Sequence, residues 1–324
     1  MFDSNNQTLQ VTVSQKRCAA EDTAVFELVP AEGESLPTFT AGSHIDVHLG
    51  DGMIRQYSLS NDPSERHRYV IGVLREADGR GGSRTMHDQV HAGDTMTIST
   101  PRNAFELNES ARKTLLFAGG IGITPILSMA RRLAALGAEF EMHYCARSKE
   151  RMAFRDEITA SGFEDRVWLH FDDGPEDQKL DISGALSDRI DDTHLYVCGP
   201  NGFMDAVLST AKAEWPDEAV HREYFASDLD LHTDGDEAFQ VKIASSGETV
   251  DVGANQTIAE ALLGHGIGVT MSCEQGVCGT CVTRVLEGTP DHRDMVLSET
   301  EHAANTEMTV CCSRSKSPLL VLDL

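Results

Sequence analysis

The chain has 324 residues, and its 52 acidic side chains outnumber its 27 basic ones, giving a formal net charge of −25 at pH 7. Nucleic-acid binding requires a basic surface, so this charge excludes that class of function. An apolar fraction of 40% and a charged fraction of 24% are typical of a folded globular protein, and the length predicts two or three domains.

The first third of the sequence predicts β-structure. Short segments that are β-branched or alternate between apolar and polar residues are separated by Gly, Pro, Asp and Asn: Thr23–Pro30, His44–Leu49, Arg68–Arg75 and Asp94–Thr100. Short strands with frequent turns favour a small antiparallel barrel.

One segment of this barrel has residues suited to a flavin. It reads RQYSLSN from Arg55 to Asn61. Arg55 can bind a phosphate with two parallel hydrogen bonds, Tyr57 can cover a flat ring, and Ser58 can hydrogen-bond to that ring. An Arg and an aromatic residue on a strand also fit a purely structural role.

A second segment of the barrel region can bind a phosphate. Gly81, Gly82 and Ser83 stand where a helix is predicted to begin, and the N–H groups of a helix N-terminus favour a phosphate. Both segments precede a region predicted to be a nucleotide-binding domain. Together they favour a flavin site.

The middle third alternates between strands and helices, which predicts a parallel sheet. The predicted strands are Lys113–Ala118, Glu139–Ala146, Val167–Phe171, Leu195–Cys198 and Val220–Phe225. The first helix is predicted to be capped by Thr124, to have Pro125 in its first turn and to end at Gly137. Two further helices are predicted at Lys149–Ala160 and Gly202–Glu214.

Two glycine-containing turns of this sheet predict a pyridine-nucleotide site. The run AGGIGITP, with Gly119, Gly120 and Gly122, lies between a strand and a helix, where a pyrophosphate can approach the backbone. It is not a full G-x-G-x-x-G, because Pro125 stands where the third glycine is expected. Cys198, in YVCGPNG, could be a buried small residue, but its place at the carboxyl end of a parallel strand, where α/β proteins bind ligands, favours a nicotinamide pocket.

The last third contains a cysteine cluster after an acidic linker. Strands are predicted at Phe239–Ala244 and Glu248–Val252, a helix at Ile258–Leu263, and then the run CEQGVCGTC begins at residue 273. Its spacing, C-x4-C-x2-C, is that of plant-type [2Fe–2S] proteins. The predicted ligands are Cys273, Cys278, Cys281 and Cys311.

Two alternatives accompany this assignment. A structural zinc site is the competing interpretation, but zinc usually binds paired C-x2-C motifs, and only one such pair is present here. Cys312 is the competing fourth ligand. Cys311 is favoured because the predicted strand Met308–Cys311 leads into it, and Cys312 would then point the opposite way.

The order of these motifs, RxYS, GGS, GGIGITP, CGP and C-x4-C-x2-C…C, resembles the phthalate dioxygenase reductase family. The resemblance covers essentially the whole chain. It implies three domains: an antiparallel β-barrel flavin domain of the ferredoxin-reductase type (1–108), an α/β parallel-sheet NAD(P)H-binding domain (109–226) and a C-terminal α+β plant-type ferredoxin domain of β-grasp fold (239–324). Residues 227–238 would be the linker.

The resemblance also implies which residues bind each cofactor. The FMN site would comprise Arg55, Tyr57, Ser58, Gly72, Val73, Leu74, Gly81, Gly82, Ser83 and Phe225. The NADH site would comprise Gly119, Gly120, Gly122, Thr124, Pro125, Arg147, Ser148, Cys198, Gly199 and Pro200. Arg147 and Ser148 could also bind the 2′-phosphate of NADPH, but NADH is the family norm.

The resemblance therefore implies an NADH-dependent flavin iron–sulfur oxidoreductase. NADH would give a hydride to FMN, and the [2Fe–2S] cluster would pass single electrons to a separate terminal oxygenase with a Rieske centre, in aromatic catabolism. No general acid or base is assigned, although Ser58 and Cys198 would lie nearest the site of hydride transfer. The alternative is an FAD-containing reductase of another multicomponent hydroxylase or epoxidase. We expect a cytoplasmic monomer that binds no membrane.

Acidic residues around the cysteine cluster suggest how a partner binds. They are Glu274, Glu287, Asp291, Asp294, Glu299 and Glu301. One hypothesis is that they form a solvated face that only keeps the protein soluble. The other is that they face a basic depression on the oxygenase, and complementary charge of this kind mainly raises the association rate.

Overall fold

The computed structural model describes residues 8–33, 35–50, 52–77, 79, 81–187, 189–212, 214–225 and 235–324. The chain divides after Glu223 into two compact units. The first unit contains an antiparallel barrel followed by a parallel α/β layer, and the second contains the cysteine cluster. The predicted fold class is confirmed.

The barrel is one antiparallel sheet that closes on itself. Its strands among the described residues are β1 (Thr8–Ala20), β2 (Thr23–Pro30), β3 (Ser43–His48), β4 (Ile54–Ser58), β5 (Tyr69–Leu74), β6 (Thr95–Ser99) and β7 (Arg102–Asn103), and helix α1 (Gly82–Gln89) follows β5. The strand order is β4-β3-β6-β1-β2-β5, with β7 on β3. A bridge between Leu59 and Ile71, and a 2.9 Å hydrogen bond from Ser60 N to Val70 O, join the two edges.

The barrel core follows the alternation seen in the sequence. Ile45 and Val47 on β3 are fully buried, and Leu49 packs against the same cluster. Side chains at alternate positions of a strand share a face, so this pattern places the apolar face inside.

The α/β layer is a parallel sheet in the order β10-β9-β8-β11-β12. Its elements are β8 (Lys113–Gly119), α2 (Ile123–Leu136), β9 (Phe140–Ala146), α3 (Arg155–Thr159), β10 (Val167–Phe171), α4 (Ile182–Ser187), β11 (Thr193–Cys198), α5 (Asn201–Ala211) and β12 (Val220–Glu223). Every residue of β8 is buried, as expected for a central parallel strand.

The second unit is a mixed sheet in the order β14-β13-β19-β15-β17. Its elements are β13 (Phe239–Ile243), β14 (Thr249–Val252), α6 (Ile258–Gly264), β15 (Val282–Glu287), β16 (Pro290–Asp291), α7 (Glu299–Ala304), β17 (Glu307–Thr309), β18 (Arg314–Ser315) and β19 (Leu319–Leu322). β13 and β19 are parallel, while β13–β14 and β15–β19 are antiparallel. Helix α6 begins with a capping box between Thr257 and Glu260.

The predicted helix Lys149–Ala160 is wrong. A 3-10 turn covers Lys149–Arg151, and helix α3 begins only at Arg155. Between them Phe154 has a positive φ of 59° and is 2% exposed. A Cβ on Gly72 would lie 3.1 Å from the Phe154 ring, so the helix is interrupted where this ring packs against the barrel.

Two predictions about where a helix begins and a strand ends are also wrong. Thr124 does not cap α2 but lies inside it, and its Oγ1 donates a 3.1 Å hydrogen bond to Ile121 O. Cys311 lies in a turn and not on a strand, because β17 ends at Thr309 and Ser313 N bonds back to Thr309 O at 3.0 Å. Gly137 ends α2 as predicted, with a φ of 66°.

The domain boundaries stay predictions. Residues 227–234 of the predicted linker lie outside the described residues. Asp236, within the same predicted linker, is bound to the second unit, because its carboxylate oxygens accept hydrogen bonds from Arg293 at 2.5 and 2.9 Å.

Candidate functional site

A guanidinium and a helix N-terminus meet at one end of the barrel. Arg55 lies on β4, and a Cβ on Gly82 would lie 2.4 Å from Arg55 Cγ, so the Arg55 side chain lies directly against the first turn of α1. Gly81 precedes this helix with a positive φ of 90°. Ser83 is fixed there, since its Oγ accepts a 3.0 Å hydrogen bond from Glu76 N. A phosphate fits this arrangement, because guanidinium and helix N–H groups both favour a dianion.

Five other predicted flavin residues lie on β4 and β5. Tyr57 is half-buried, and burial raises the pKa of its hydroxyl well above the usual range. Ser58 is buried next to it. On β5, Gly72 and Val73 are buried and Leu74 is half-buried. Gly72 is one point of contact with the α/β layer, because a Cβ there would lie 2.9 Å from Thr124 Cγ2.

The glycine-containing turns after β8 and β11 touch each other. A Cβ on Gly122 would lie 2.3 Å from Cys198 O, and one on Gly199 would lie 2.9 Å from the Cα of Gly119. Gly120 has a positive φ of 53°. Because these strands are parallel, their carboxyl ends meet at one edge of the sheet, with Pro125 in the first turn of α2. The glycine backbone at this edge suits a pyrophosphate.

The remaining nucleotide residues follow the same sheet edge. Pro200 precedes α5 as its N-cap, and a Cβ on Gly119 would lie 2.9 Å from its ring. Arg147 is exposed immediately after β9, and Ser148 precedes the 3-10 turn.

The structure brings Ser58 and Cys198 to a residue that sequence reasoning missed. Glu223 ends β12 and is the register partner of Cys198 on β11. Ser58 Oγ donates a 3.5 Å hydrogen bond to Glu223 Oε2. Burial raises the pKa of Glu223 to about 8, and burial also raises the pKa of the Cys198 thiol. The position of Glu223 was the signal that could have identified it. Glu223 is an ionisable residue at the carboxyl end of a parallel strand, and this strand lies next to one already assigned to the site.

The four predicted cluster cysteines converge in the second unit. The thiol of Cys273 is within hydrogen-bonding reach of Cys278 and Cys311, and that of Cys311 is within reach of Cys281. Gln275 N lies 3.4 Å from Cys273 Sγ, so the loop backbone points at the sulfur. Such N–H···S contacts favour bound thiolates.

Glycines make room for this loop. Gly276 and Gly279 have positive φ angles of 70° and 72°. A Cβ on Gly276 would lie 2.5 Å from Cys312 Sγ. The sulfur of Cys312 therefore lies behind the loop, where it is 3.0 Å from Thr309 Oγ1. Four convergent thiols in a loop with inward N–H groups fit a [2Fe–2S] cluster.

Phe225 belongs to the second unit and is 39% exposed. Its predicted stacking on the flavin stays a prediction.

Comparison with known proteins identifies the family. Residues 241–316 match the family model of a 2Fe-2S iron-sulfur cluster binding domain, and residues 116–209 match that of an oxidoreductase NAD-binding domain. A vanillate O-demethylase oxidoreductase of Pseudomonas putida is 54% identical over 98% of this chain and 100% of its own length. The solved structure of phthalate dioxygenase reductase, a modular structure for electron transfer from pyridine nucleotides to [2Fe-2S], is 40% identical with a TM-score of 0.76, and the match covers 98% of both chains. This chain belongs to the phthalate dioxygenase reductase family.

A third relative has a longer chain. An intact type IV self-sufficient cytochrome P450 monooxygenase is 39% identical with a TM-score of 0.85, and the match covers 98% of this chain but 41% of that one. The reductase fold thus also occurs as one part of a larger protein.

Family membership confirms the activity and cofactors predicted from the sequence. The chain is an NADH-dependent flavin iron–sulfur oxidoreductase with FMN, NADH and a [2Fe–2S] cluster as its cofactors. The cluster assignment replaces the zinc alternative. NADH supplies a hydride to the flavin, and the cluster carries electrons singly. In the described part of the chain, no helix is both long and apolar enough to cross a bilayer.

Proposed function

We propose that this reductase passes electrons one at a time to a separate oxygenase with a Rieske centre, and that it does so as a cytoplasmic monomer. The observation that carries the proposal is the convergence of four thiols in the second unit. Cys278 is partly exposed, whereas Cys273, Cys281 and Cys311 are buried. The Cys278 edge of the loop is therefore the exit we propose for electrons.

The residue assignments form part of the proposal. The proposed ligands of the iron–sulfur cluster are Cys273, Cys278, Cys281 and Cys311. The contact between Arg55 and the first turn of α1 supports a phosphate site for FMN formed by Arg55, Gly81, Gly82 and Ser83. Tyr57, Ser58 and Gly72–Leu74 would flank the flavin ring. The contact between the turns after β8 and β11 supports the proposed NADH site. Its proposed residues are Gly119, Gly120, Gly122, Thr124, Pro125, Cys198, Gly199 and Pro200. Arg147 and Ser148 would lie towards the ribose.

The predicted acidic face needs a correction before it is assigned to docking. Asp294 is buried, and Asp291 is half-buried and accepts a 2.9 Å hydrogen bond from Arg293. Glu274 is exposed in the cysteine loop. Val296, 36% exposed, lies 3.3 Å from the position of a Cβ on Gly279. We assign docking to the exposed acidic residues that remain, Glu274, Glu287, Glu299 and Glu301, together with Cys278 and Val296.

The relatives suggest which oxygenase to test first. The vanillate O-demethylase oxidoreductases of Pseudomonas putida and Acinetobacter baylyi are 54% and 51% identical to this chain. We therefore propose an oxygenase acting on a methoxylated aromatic acid and, as its assay partner, a vanillate O-demethylase oxygenase component.

Stopped-flow reduction of the oxygenase Rieske centre tests the proposal. The reduction should be second-order at low oxygenase concentration and should slow steeply from low to moderate salt, because salt screens the long-range attraction over about 8 Å at physiological ionic strength. Glu274→Lys should slow this step and leave NADH-to-quinone turnover intact. Glu248→Lys makes the same charge change on the exposed turn after β13 and serves as the control.

Three results would contradict parts of the proposal. An oxygenase Rieske centre that stays oxidised with the fully loaded reductase and NADH would remove the partner assignment. A reduction rate that is flat across the salt range, with Glu274→Lys equal to the parent, would remove the docking surface. Sedimentation as a dimer would contradict the monomer.

A further inference from the structure

Two histidines and one aspartate of the second unit meet outside the cysteine cluster. His292 and Asp294 lie in the segment after β16, and His302 lies on α7. Asp294 Oδ1 is 3.2 Å from His302 Nε2 and 3.9 Å from His292 Nδ1. Their three candidate ligand atoms all lie within 4.8 Å of one another.

The hydrogen bonding of His292 leaves one nitrogen unused. Its Nε2 lies 3.3 Å from Asn305 Oδ1, and an amide oxygen only accepts, so the Nε2 atom carries the proton. Nδ1 therefore carries no proton and has an unused lone pair. It is buried and has no hydrogen-bond partner among the residues that the structure describes. The His292 side chain is only 8% exposed.

This lone pair faces a buried carboxylate. The side chain of Asp294 is 0% exposed, so two electron-rich atoms, Asp294 Oδ1 and His292 Nδ1, lie 3.9 Å apart away from solvent. Asp294 Oδ1 has a hydrogen-bond partner, His302 Nε2 at 3.2 Å, but His292 Nδ1 has none, and burying a polar atom without a partner is unfavourable. A cation bound here would replace the proton shared by His302 and Asp294 and would also satisfy His292 Nδ1.

The surroundings hold the three groups in this arrangement. Asp294 Oδ2 accepts hydrogen bonds from Val296 N and Leu297 N at 3.2 and 2.8 Å, which turns Oδ1 towards the imidazoles. The two imidazole rings stack with centroids 4.3 Å apart. Outer hydrogen bonds of this kind orient the ligands of a metal and fix their tautomers.

We propose that His292 Nδ1, Asp294 Oδ1 and His302 Nε2 bind a divalent transition-metal ion, with Zn²⁺ as the best match. Two imidazoles and a carboxylate are ligands that zinc favours, and tetrahedral zinc leaves a fourth position for water. His302 is 28% exposed, which gives the ion and the water a path from solvent. The proposed site shares no residue with the four cluster cysteines.

The proposed site adjoins the cysteine loop. Met295 N, next to Asp294, donates a 2.9 Å hydrogen bond to Gly276 O. A bound ion would therefore fix the segment on which the cysteine loop rests.

The test uses the iron–sulfur-loaded protein and Zn²⁺ alone. After a chelator wash, iron content is measured to verify that the cluster is intact, and zinc is titrated against a fluorescent competitor. We expect one zinc per chain. X-ray absorption at the zinc edge should report nitrogen and oxygen ligands at about 2.0–2.2 Å and no sulfur at about 2.3 Å.

Variants identify the ligands. His302→Gln should weaken zinc binding at least tenfold, and Asn305→Gly, which removes the partner of His292 and a 3.2 Å hydrogen bond to Ala303 O but no ligand, should weaken it about 10–100-fold. Glycine suits position 305 because Asn305 has a positive φ of 54°. His265→Gln is the matched control: His265 Nδ1 lies 3.7 Å from Glu248, in a pair of histidine and carboxylate without a second imidazole. It should bind zinc like the parent.

Three results would overturn the site: no zinc bound at micromolar concentration, sulfur among the zinc ligands, or equal affinity in the parent, His302→Gln and Asn305→Gly. Iron content measured for each variant separates a damaged fold from a lost ligand. If His302→Gln loses iron, Asn305→Gly decides the outcome.

Discussion

Cys311 and Cys312 are chain neighbours with different surroundings. The thiol of Cys311 lies within hydrogen-bonding reach of Cys273, Cys281 and Cys312, whereas Cys312 Sγ also lies 3.0 Å from Thr309 Oγ1. Both lie in the turn after β17, so strand alternation does not separate them, contrary to the reason the sequence suggested. The two thiols differ in their surroundings because of the turn and because the Thr309 hydroxyl contacts Cys312 Sγ.

We predict that Cys311→Ser loses the cluster or makes it labile, while Cys312→Ser keeps it. Electron paramagnetic resonance of the dithionite-reduced proteins measures this. A normal signal in Cys311→Ser would show that another residue ligates the iron.

Glu223 makes the stability of the first unit depend on pH. The pKa of its carboxyl rises from 4.5 to about 8 on folding, because burial disfavours the charged form. The folded chain then holds a proton that the unfolded chain releases, so this contribution is fully present below pH 4.5 and is lost as pH rises to about 8.

Glu223→Gln should remove this dependence. Relative to the parent, the variant should gain about 1–3 kcal/mol at pH 8, where one pKa unit corresponds to about 1.4 kcal/mol and partial exposure of the side chain reduces the total. Both tryptophans, Trp168 and Trp215, lie in the first unit, so tryptophan fluorescence during urea unfolding at pH 5 and pH 8 reports on it. Parallel stability curves for parent and variant across this range would contradict the prediction.

At the scale of single elements, the cysteine loop depends on a glycine that no side chain can replace. Gly276 combines a positive φ of 70° with a Cβ position 2.5 Å from Cys312 Sγ. Gly266 has a similar φ of 77°, but a Cβ there would meet nothing within 4 Å.

Gly276→Ala should therefore cost the strain of a left-handed residue, about 1–2 kcal/mol, plus about 1–3 kcal/mol for the clash. Gly266→Ala should cost only the strain. Iron content and the melting temperature of the second unit compare the two. If the variants retain equal iron and melt together, the close approach at Gly276 does not limit the loop.

The elements that the sequence predicted well are those whose signal is local. Examples are the alternation of Ile45 and Val47, the helix end at Gly137 and the spacing of the cysteines. In each case, residues that are close together in the sequence determine the local structure. The interruption at Phe154 was not predictable, because it depends on a contact with Gly72 that lies 82 positions earlier in the chain. Glu223 was missed for the same reason: its environment is created by β4 and β11, not by its neighbours in sequence.

At the scale of the whole molecule, the two units have separate hydrophobic cores. The second unit is built around Phe239, Val241 and Leu320, and among the described residues its core cluster contains none from the first unit. We therefore expect the first unit to fold without the second.

A chain ended at Ala226 should keep its FMN and reduce ferricyanide with NADH at about the parent rate. It should fail to reduce cytochrome c, because the one-electron carrier is gone. Parallel assays of the parent and the truncated chain, normalised to flavin content, measure both activities. Cytochrome c reduction at the parent rate by the truncated chain would contradict the proposed electron path.

The position of β19 has a consequence for synthesis on the ribosome. This strand lies between β13 and β15, so residues 319–322 form the middle of the sheet that supports the cysteine loop. Leu322 follows Cys281 by 41 residues, which at about 5–20 residues per second corresponds to roughly 2–8 s of translation. All four thiols thus leave the ribosome before the sheet can close, and we expect iron and sulfide to be inserted only after β19 has been made.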